Sequence, residues 1–385
     1  MVAFWRNIII SVLAFVIVGI LATFAFNTSF LSPIAEVAKD FEMTDVYYQI
    51  LQETDNWEES EEVTIVDMTD LYTRRELATA LEQVALQKPK AVGVDVVFEG
   101  LREDSLGDDM MRRVADLYRN IVFSYKLLEY VNDSVGYTDD VHSFFTKELE
   151  GVNEGFTNMP RNLYGGIKRK LSLGRLHDGK LDTSFLLKVT RMYTGTEVEE
   201  LKDRDMEINF HPTVFHIVSS DSIAENSDLI RNRLVLFGAM KDEYDMHYTP
   251  LGKIAGVELL AYGAQTLLEH KEKHSLTGWT LAIVSFLLVL LTQWGLSLYL
   301  RLVKLIPIHF LRFLLSTSLI KSMLIALWMW VLLWVAFIAF VKYDLSINFG
   351  YAFSGIAFLV LAGAFYAEFE TYSAAKKLSK NTTKS

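Results

Sequence analysis

The 385-residue chain contains no cysteine. That absence excludes a disulfide framework, a thiolate nucleophile and a zinc site with Cys ligands, and it is compatible with an oxidising compartment without demanding one. Enzyme signatures are missing too. There is no Gly-x-Ser-x-Gly elbow, no Gly-x-x-x-x-Gly-Lys phosphate loop, no His-Glu-x-x-His and no Gly-x-Gly-x-x-Gly after a strand. A catalytic centre would have to be assembled from dispersed positions, so no enzyme, cofactor or metal is expected. Negative charge is nearly absent from the two ends. Residues 27–276 hold 27 Lys plus Arg against 45 Asp plus Glu, a net of −18, whereas the remainder holds 10 against 3, a net of +7. So acidic a middle region excludes nucleic acid as a partner and does not cling to an anionic surface.

Long apolar runs are confined to the ends. About 20 apolar residues in a helix cross a bilayer core roughly 30 Å thick. Four windows qualify or nearly so: Ile8 to Phe26, Gly278 to Leu300, Ser322 to Val341 and Leu345 to Ala367. The first follows Arg6, and its apolar core exceeds the roughly 7–15 residues of a cleaved signal peptide, so an uncleaved anchor is expected. Arg6 precedes the first window, Arg301, Lys304, Arg312 and Lys321 lie between the second and third, and Lys376, Lys377, Lys380 and Lys384 follow the fourth. With four crossings all three groups share one side, which the positive-inside rule makes cytoplasmic. The expected organisation is a transmembrane anchor (1–29), an extracytoplasmic domain (30–276), three transmembrane helices with a basic cytoplasmic loop at 301–321 (277–368) and a cytoplasmic tail (369–385). This is a multi-pass protein of a bacterial inner membrane with both termini cytoplasmic. The stretch 301–320 reads equally as an interfacial helix or as a loop.

Within the middle region, Val- and Ile-rich runs at Val63 to Met68, Ala91 to Val97, Asn120 to Tyr125 and Arg233 to Gly238 are separated by helical patterns. The helices are expected at Arg74 to Leu86, Asp109 to Tyr118, Thr183 to Met192 and Gly256 to His270. Apolar strands alternating with amphipathic helices predict an α/β domain with a mixed, mainly parallel sheet and flanking helices. Phe30 to Gln52 reads as a helix continuing from the first span, either a homodimer surface or packed on its own domain.

Ligands of open α/β sheets bind at the carboxyl ends of strands. The candidates there are Asp67 at the end of the first strand, Asp95 in the second, and Asp245, Thr249 and Glu258 after Gly238. A buried acid needs a partner, which Arg74 or Arg75 could supply; a structural ion pair and a ligand contact both stay open. His270 and His274 stand four apart on the helix expected to lead to the membrane, a spacing able to hold a metal, but their charged neighbours read as a solvated helix end. Six acids between Glu53 and Glu62 lack calcium-loop spacing and read as a charged loop. Gly350 and Ser354 offer a close-packing face in the fourth span, and Gln293 a polar contact in the second.

The run LVLFGAMKDEYDMHYTPLGKIAGVELLAYGAQTLLE, Leu234 to Glu269, resembles the closing signature of the type 2 CHASE domain. This is a sensory extracellular domain associated with cyclases and histidine kinases. The resemblance rests on a hydrophobic strand ending in Gly238, Asp245 before Thr249-Pro250, and Gly256-Val257-Glu258 opening a helix with Ala261 and Leu267-Leu268. Upstream, the strand with Asp67, the Arg74-Arg75 helix start, AVGVDVVF with Asp95 and Phe98, the Gly155-Phe156-x-Asn158 turn and the Ser184-Phe185 helix start keep the family's order over about 30–270. The chain departs from it at Tyr164-Gly165, at Lys168-Arg169 and at Leu71-Tyr72-Thr73. The resemblance implies the same plan of one span before the domain and three after it. Family members usually continue into an effector, whereas the seventeen residues after Glu368 are too few for a catalytic domain. The expectation is therefore a sensor whose helices pass a signal to a separate effector. The alternative is a scaffold subunit holding other envelope proteins.

Overall fold

The computed structural model describes residues 2–27, 42–54, 57–160, 166–275, 278–347 and 349–382. The chain divides into two compact units, Asp45–Lys273 and Met1–Thr44 together with His274–Ser385.

The first unit is built on a mixed ten-stranded sheet. Its centre is parallel: β1 (Glu58–Asp67), β2 (Ala91–Val94), β3 (Ile121–Asn132), β9 (Thr213–Ser219) and β10 (Leu234–Gly238) lie in the order β9-β1-β10-β2-β3, and β5 (Asn153–Phe156) also runs parallel to β3. Further out the pairing turns antiparallel. β4 (Gly136–Val141) folds back on β3, and β6 (Lys170–His177) pairs with β7 (Lys180–Thr183) and β8 (Arg204–Glu207). Val63, Ile65, Val92, Val94, Leu234 and Leu236 are buried, as the strands of a sheet covered on both faces must be.

Helices cover both faces. α3 (Arg74–Leu86) opens on a capping box in which Thr73 and Glu76 satisfy each other's backbone N–H groups. With α4 (Ser105–Leu117) it buries Ala78, Leu81, Val84, Met111 and Val114 against Val66, Val92, Val94, Val235 and Phe237. α5 (Phe185–Thr194) and α6 (Gly256–Leu268) pack against β1, β2 and β10. Their approach requires missing side chains. A Cβ on Gly93 would stand 2.7 Å from the Phe185 ring, and one on Gly238 2.7 Å from Val257.

Several elements end differently from expectation. β1 starts at Glu58, so Glu58 to Glu62 belong to a strand and not to the expected charged loop, and β3 runs on to Asn132. β2 stops at Val94, so Asp95 lies just past the strand instead of within it. α6 stops at Leu268, and His270 takes a left-handed φ of +53°, so His270 and His274 do not share a helical face and no helix runs unbroken to Trp279. Of the expected helix at 30–52, residues 30–41 lie outside the described residues. The remainder is α2 (Met43–Gln52), which buries Tyr47 and Tyr48. Asp45 pairs with Arg169 through two hydrogen bonds of 2.8 and 2.6 Å, and the Tyr48 hydroxyl donates to Ile208 O, so this part packs on its own domain.

In the second unit α1 (Val2–Asn27), α7 (Gly278–Lys304) and α9 (Ser318–Tyr343) are each long and apolar enough to span a membrane. Where the fourth span is expected stands a bent pair, α10 (Gly350–Ala357) and α11, whose apolar part Leu359–Lys376 meets it at 41°; the pair is long and apolar enough to cross only if both count as one span. α11 itself extends over Leu359–Thr382. Between α7 and α9 stands α8 (His309–Ser316), two turns with Phe310 and Phe313 exposed, which suits a helix lying in an interface. Polar groups fasten the helices where hydrocarbon leaves them no water: Ser297 Oγ donates to Asn7 Oδ1 at 2.9 Å and Trp328 Nε1 to Thr292 Oγ1 at 2.9 Å. The close approach falls at Gly355, against Val289 and Phe15, while Ser354 turns its hydroxyl back to Gly350 O. A short parallel ladder, β13 (His274–Ser275) with β14 (Leu345–Ser346), ties the chain before α7 to the connection between α9 and α10.

Candidate functional site

The candidate residues at the strand ends separate into three arrangements. Asp67 closes a turn: its Oδ1 accepts the N–H of Thr69 at 2.9 Å and of Met240 at 3.1 Å, locking the end of β1 to the chain leaving β10. Thr249 does similar work in the hairpin β11 (Met246–Thr249) and β12 (Gly252–Ala255), where its buried hydroxyl donates to Gly252 O and accepts from Leu251 N.

Arg74 turns away from both Asp67 and Asp95. Its guanidinium forms an ion pair with Asp108 on α4, donates to Glu99 O at 2.9 Å and stacks on the Phe144 ring at 4.6 Å. Both members of the pair are almost wholly buried, and Asp108 also takes the N–H of Arg102 at 2.9 Å. Arg75 pairs with Asp104 near the surface. The arginines therefore join α3 to α4 and the loop between them, and do not neutralise the acids of β1 and β2.

Asp95, Asp245 and His247 do come together. Asp245 closes a short 3-10 turn before β11, and its carboxylate stands against Gly256, the first residue of α6, where a Cβ would collide with it. An anion is favoured at a helix N-terminus by the aligned peptide dipoles. His247 Nε2 lies 3.3 Å from Asp245 Oδ1. Removal from water and then the charge of Asp245 push the Asp95 carboxyl up to about 7, while Lys126 and His247 pull the other way. Glu258, in the first turn of α6, is raised by burial. The cluster thus holds a carboxyl group poised between its two protonation states at neutral pH.

A second polar assembly was not foreseen from the sequence. His142 bridges Glu154 at 2.6 Å and Asp140 at 3.3 Å, His177 bridges Asp140 at 3.5 Å and Asp182 at 3.7 Å, and the Tyr125 hydroxyl donates to Asp182. The His142 ring stacks on Tyr125 with centroids 4.3 Å apart. Glu154 holds the His142 imidazole above its usual range. These residues come from β3, β4 and the residue after it, β5, β6 and β7. No local spacing announces them, because only the pairing of distant strands, parallel and antiparallel, brings them side by side.

A family model described as the CHASE2 domain matches residues 13–297. The chain belongs to the CHASE2 domain family. No curated protein and no solved structure matches it. CHASE2 is a sensory extracellular domain family, and the strand-end cluster lies within the matched residues. The match runs past the expected 30–270 into α1 and α7, placing the apolar flanks within the CHASE2 pattern. It also accommodates the breaks noted above: Arg169 pairs with Asp45, and Lys168 N donates to Tyr248 O at 2.6 Å, while Tyr164-Gly165 falls outside the described residues.

Arg74→Ala leaves Asp108 buried and unpaired, and should cost about 3–5 kcal/mol in urea unfolding, whereas Arg75→Ala at the surface should cost less than about 1 kcal/mol. Asp95 gives a pH signature. Because its folded pKa lies above its unfolded value, ionisation penalises the folded state: between about pH 4 and 7 the wild type loses roughly 1.4 kcal/mol per pH unit that Asp95→Asn does not lose. The variant should therefore be the more stable protein at pH 8, with the difference vanishing near pH 4; equal pH profiles would show that Asp95 is not held protonated.

Proposed function

We propose that this protein is a membrane-bound receptor of a bacterial inner membrane, with residues 30–276 extracytoplasmic and both termini cytoplasmic. A signal bound at the Asp95, Asp245 and His247 cluster shifts the domain, and the membrane helices carry the shift to a separate effector protein, with a homodimer as the working assembly. The observation that carries this reading is the wiring of the β11–β12 hairpin. Asp245 and His247 flank its start, Asp245 abuts the first residue of α6, and Pro250 O at its tip accepts the Gln49 side chain of α2 at 2.5 Å. α2 follows α1 in sequence and α6 precedes α7. A ligand that favours one arrangement of this hairpin therefore biases both segments through which the domain joins its membrane helices. The cluster sets two carboxyl groups, Asp95 and Asp245, beside Lys126 and His247, which suits a small solute that donates hydrogen bonds or carries positive charge.

A scaffold role is favoured by a different observation. The edge strand β9 leaves Val214 and Ile217 exposed, an apolar strip open to a protein partner.

Crosslinking in native membranes followed by co-purification separates the two. A kinase or cyclase is expected to accompany the receptor, and recovery of envelope proteins alone would replace this reading by the scaffold. Orientation has its own check, made simple by the lack of native cysteine. With Ser134→Cys and Ser379→Cys made singly in intact cells freed of their outer membrane, an impermeant thiol reagent should label the first and spare the second; the reverse pattern would invert the topology.

A further inference from the structure

The membrane unit contains one cavity whose lining is chemically unlike ordinary interhelical space. It has a volume of about 360 Å³ and draws on the beginnings of α1 and α9, the second half of α7 and the first half of α11. Arg6, Lys321 and Gln293 line it, with Tyr366 and Glu370 alongside and Gly363 in its wall. Among the described residues neither Arg6 nor Lys321 has an ion-pair partner, and the amide of Gln293, 8% exposed, has no hydrogen-bond partner either. Glu370 is already engaged by the Tyr366 hydroxyl.

Two cations and an amide that have no ion-pair or hydrogen-bond partner among the described residues line one cleft, and together they attract an anion. The remaining lining, Ile10, Leu296, Leu300, Leu359 and Val360, is apolar. The occupant must therefore combine an acceptor-rich anionic group with an apolar body. Counting Arg6 and Lys321 against Glu370, the lining carries a net charge of +1, which matches one phosphodiester.

We infer that this cavity is a binding site for one anionic phospholipid, its phosphate held between Arg6 and Lys321 with Gln293 donating, and its acyl chains lying along α7 and α11. Glu370 stands where a hydroxyl-bearing headgroup such as glycerol would donate to it. Basic pockets between transmembrane helices recognise anionic headgroups by this chemistry. With the orientation proposed above, the lipid comes from the inner leaflet.

The test is native mass spectrometry of the full chain released from nanodiscs of mixed phosphatidylglycerol and phosphatidylcholine. Wild type should retain phosphatidylglycerol over phosphatidylcholine by roughly tenfold or more. Arg6→Gln with Lys321→Gln should abolish that preference, while Lys304→Gln, outside the cavity, should keep it. Gly363→Leu removes no charge but fills the wall, where a Cβ meets nothing within 4 Å, and should expel the lipid from a protein of unchanged helix content. Equal retention of the two lipids by wild type, or an undiminished preference in the double variant, would overturn the inference. Displacement of the lipid by soluble glycerol 3-phosphate at millimolar concentration would overturn it too, in favour of a site for a free phosphate ester.

Discussion

A carboxylate taken out of water can be accommodated by amide donors, by a cation or by a proton, and this domain uses all three. Asp67 has amides, Asp108 has Arg74, and Asp95, pushed up to about 7, can take the proton. The first two solutions are permanent and build the frame. The third is conditional, since a proton can be traded for a bound cation or for a hydrogen-bond donor. On the receptor reading proposed above, that difference makes Asp95 and its neighbour Asp245 the place to look for a response, with Asp67, Arg74 and Thr249 holding the frame around them.

Much of the fold was legible because burial leaves a strong imprint on sequence. The apolar runs at 63–66, 91–94 and 234–237 read as central strands, and the helix Arg74–Leu86 declared itself by Thr73 and Glu76 as well as by its periodicity. The site was legible only in part. Asp245 and Gly256 belong to one short stretch, so their meeting could be anticipated, but the Arg74 to Asp108 pair spans 34 residues and depends on the packing of two helices. Arg74 had nearer acids in sequence, yet the nearest in space is decided by the helix pair. The His142 and His177 assembly is further out of reach, because its members are contributed one or two at a time by five strands.

The membrane helices show the same division. Hydropathy located three spanning helices and the bent pair that makes a fourth candidate, while the contacts between them follow from which small or polar residue happens to face inward. Gly355 takes the place of Gly350 and Ser354 at the close approach, and Thr292 and Ser297, on either side of Gln293 in sequence, make the interhelical bonds. The break between α10 and α11 likewise leaves no mark in an apolar run that reads as one continuous span.

The two-residue ladder between His274–Ser275 and Leu345–Ser346 has a mechanical meaning. Chain entering the membrane at α7 is stitched, by backbone hydrogen bonds that include His274 N to Asp344 O at 2.8 Å, to the hinge where α9 hands over to the broken fourth span. A pull or twist on the strand at residue 274 is therefore shared among three helices at their ends instead of spent on one. A piston stroke of α7 alone would tear the ladder, whereas a rotation of α7, α9 and α10 as a linked group would keep it, so a receptor of the proposed kind would signal through concerted rotation.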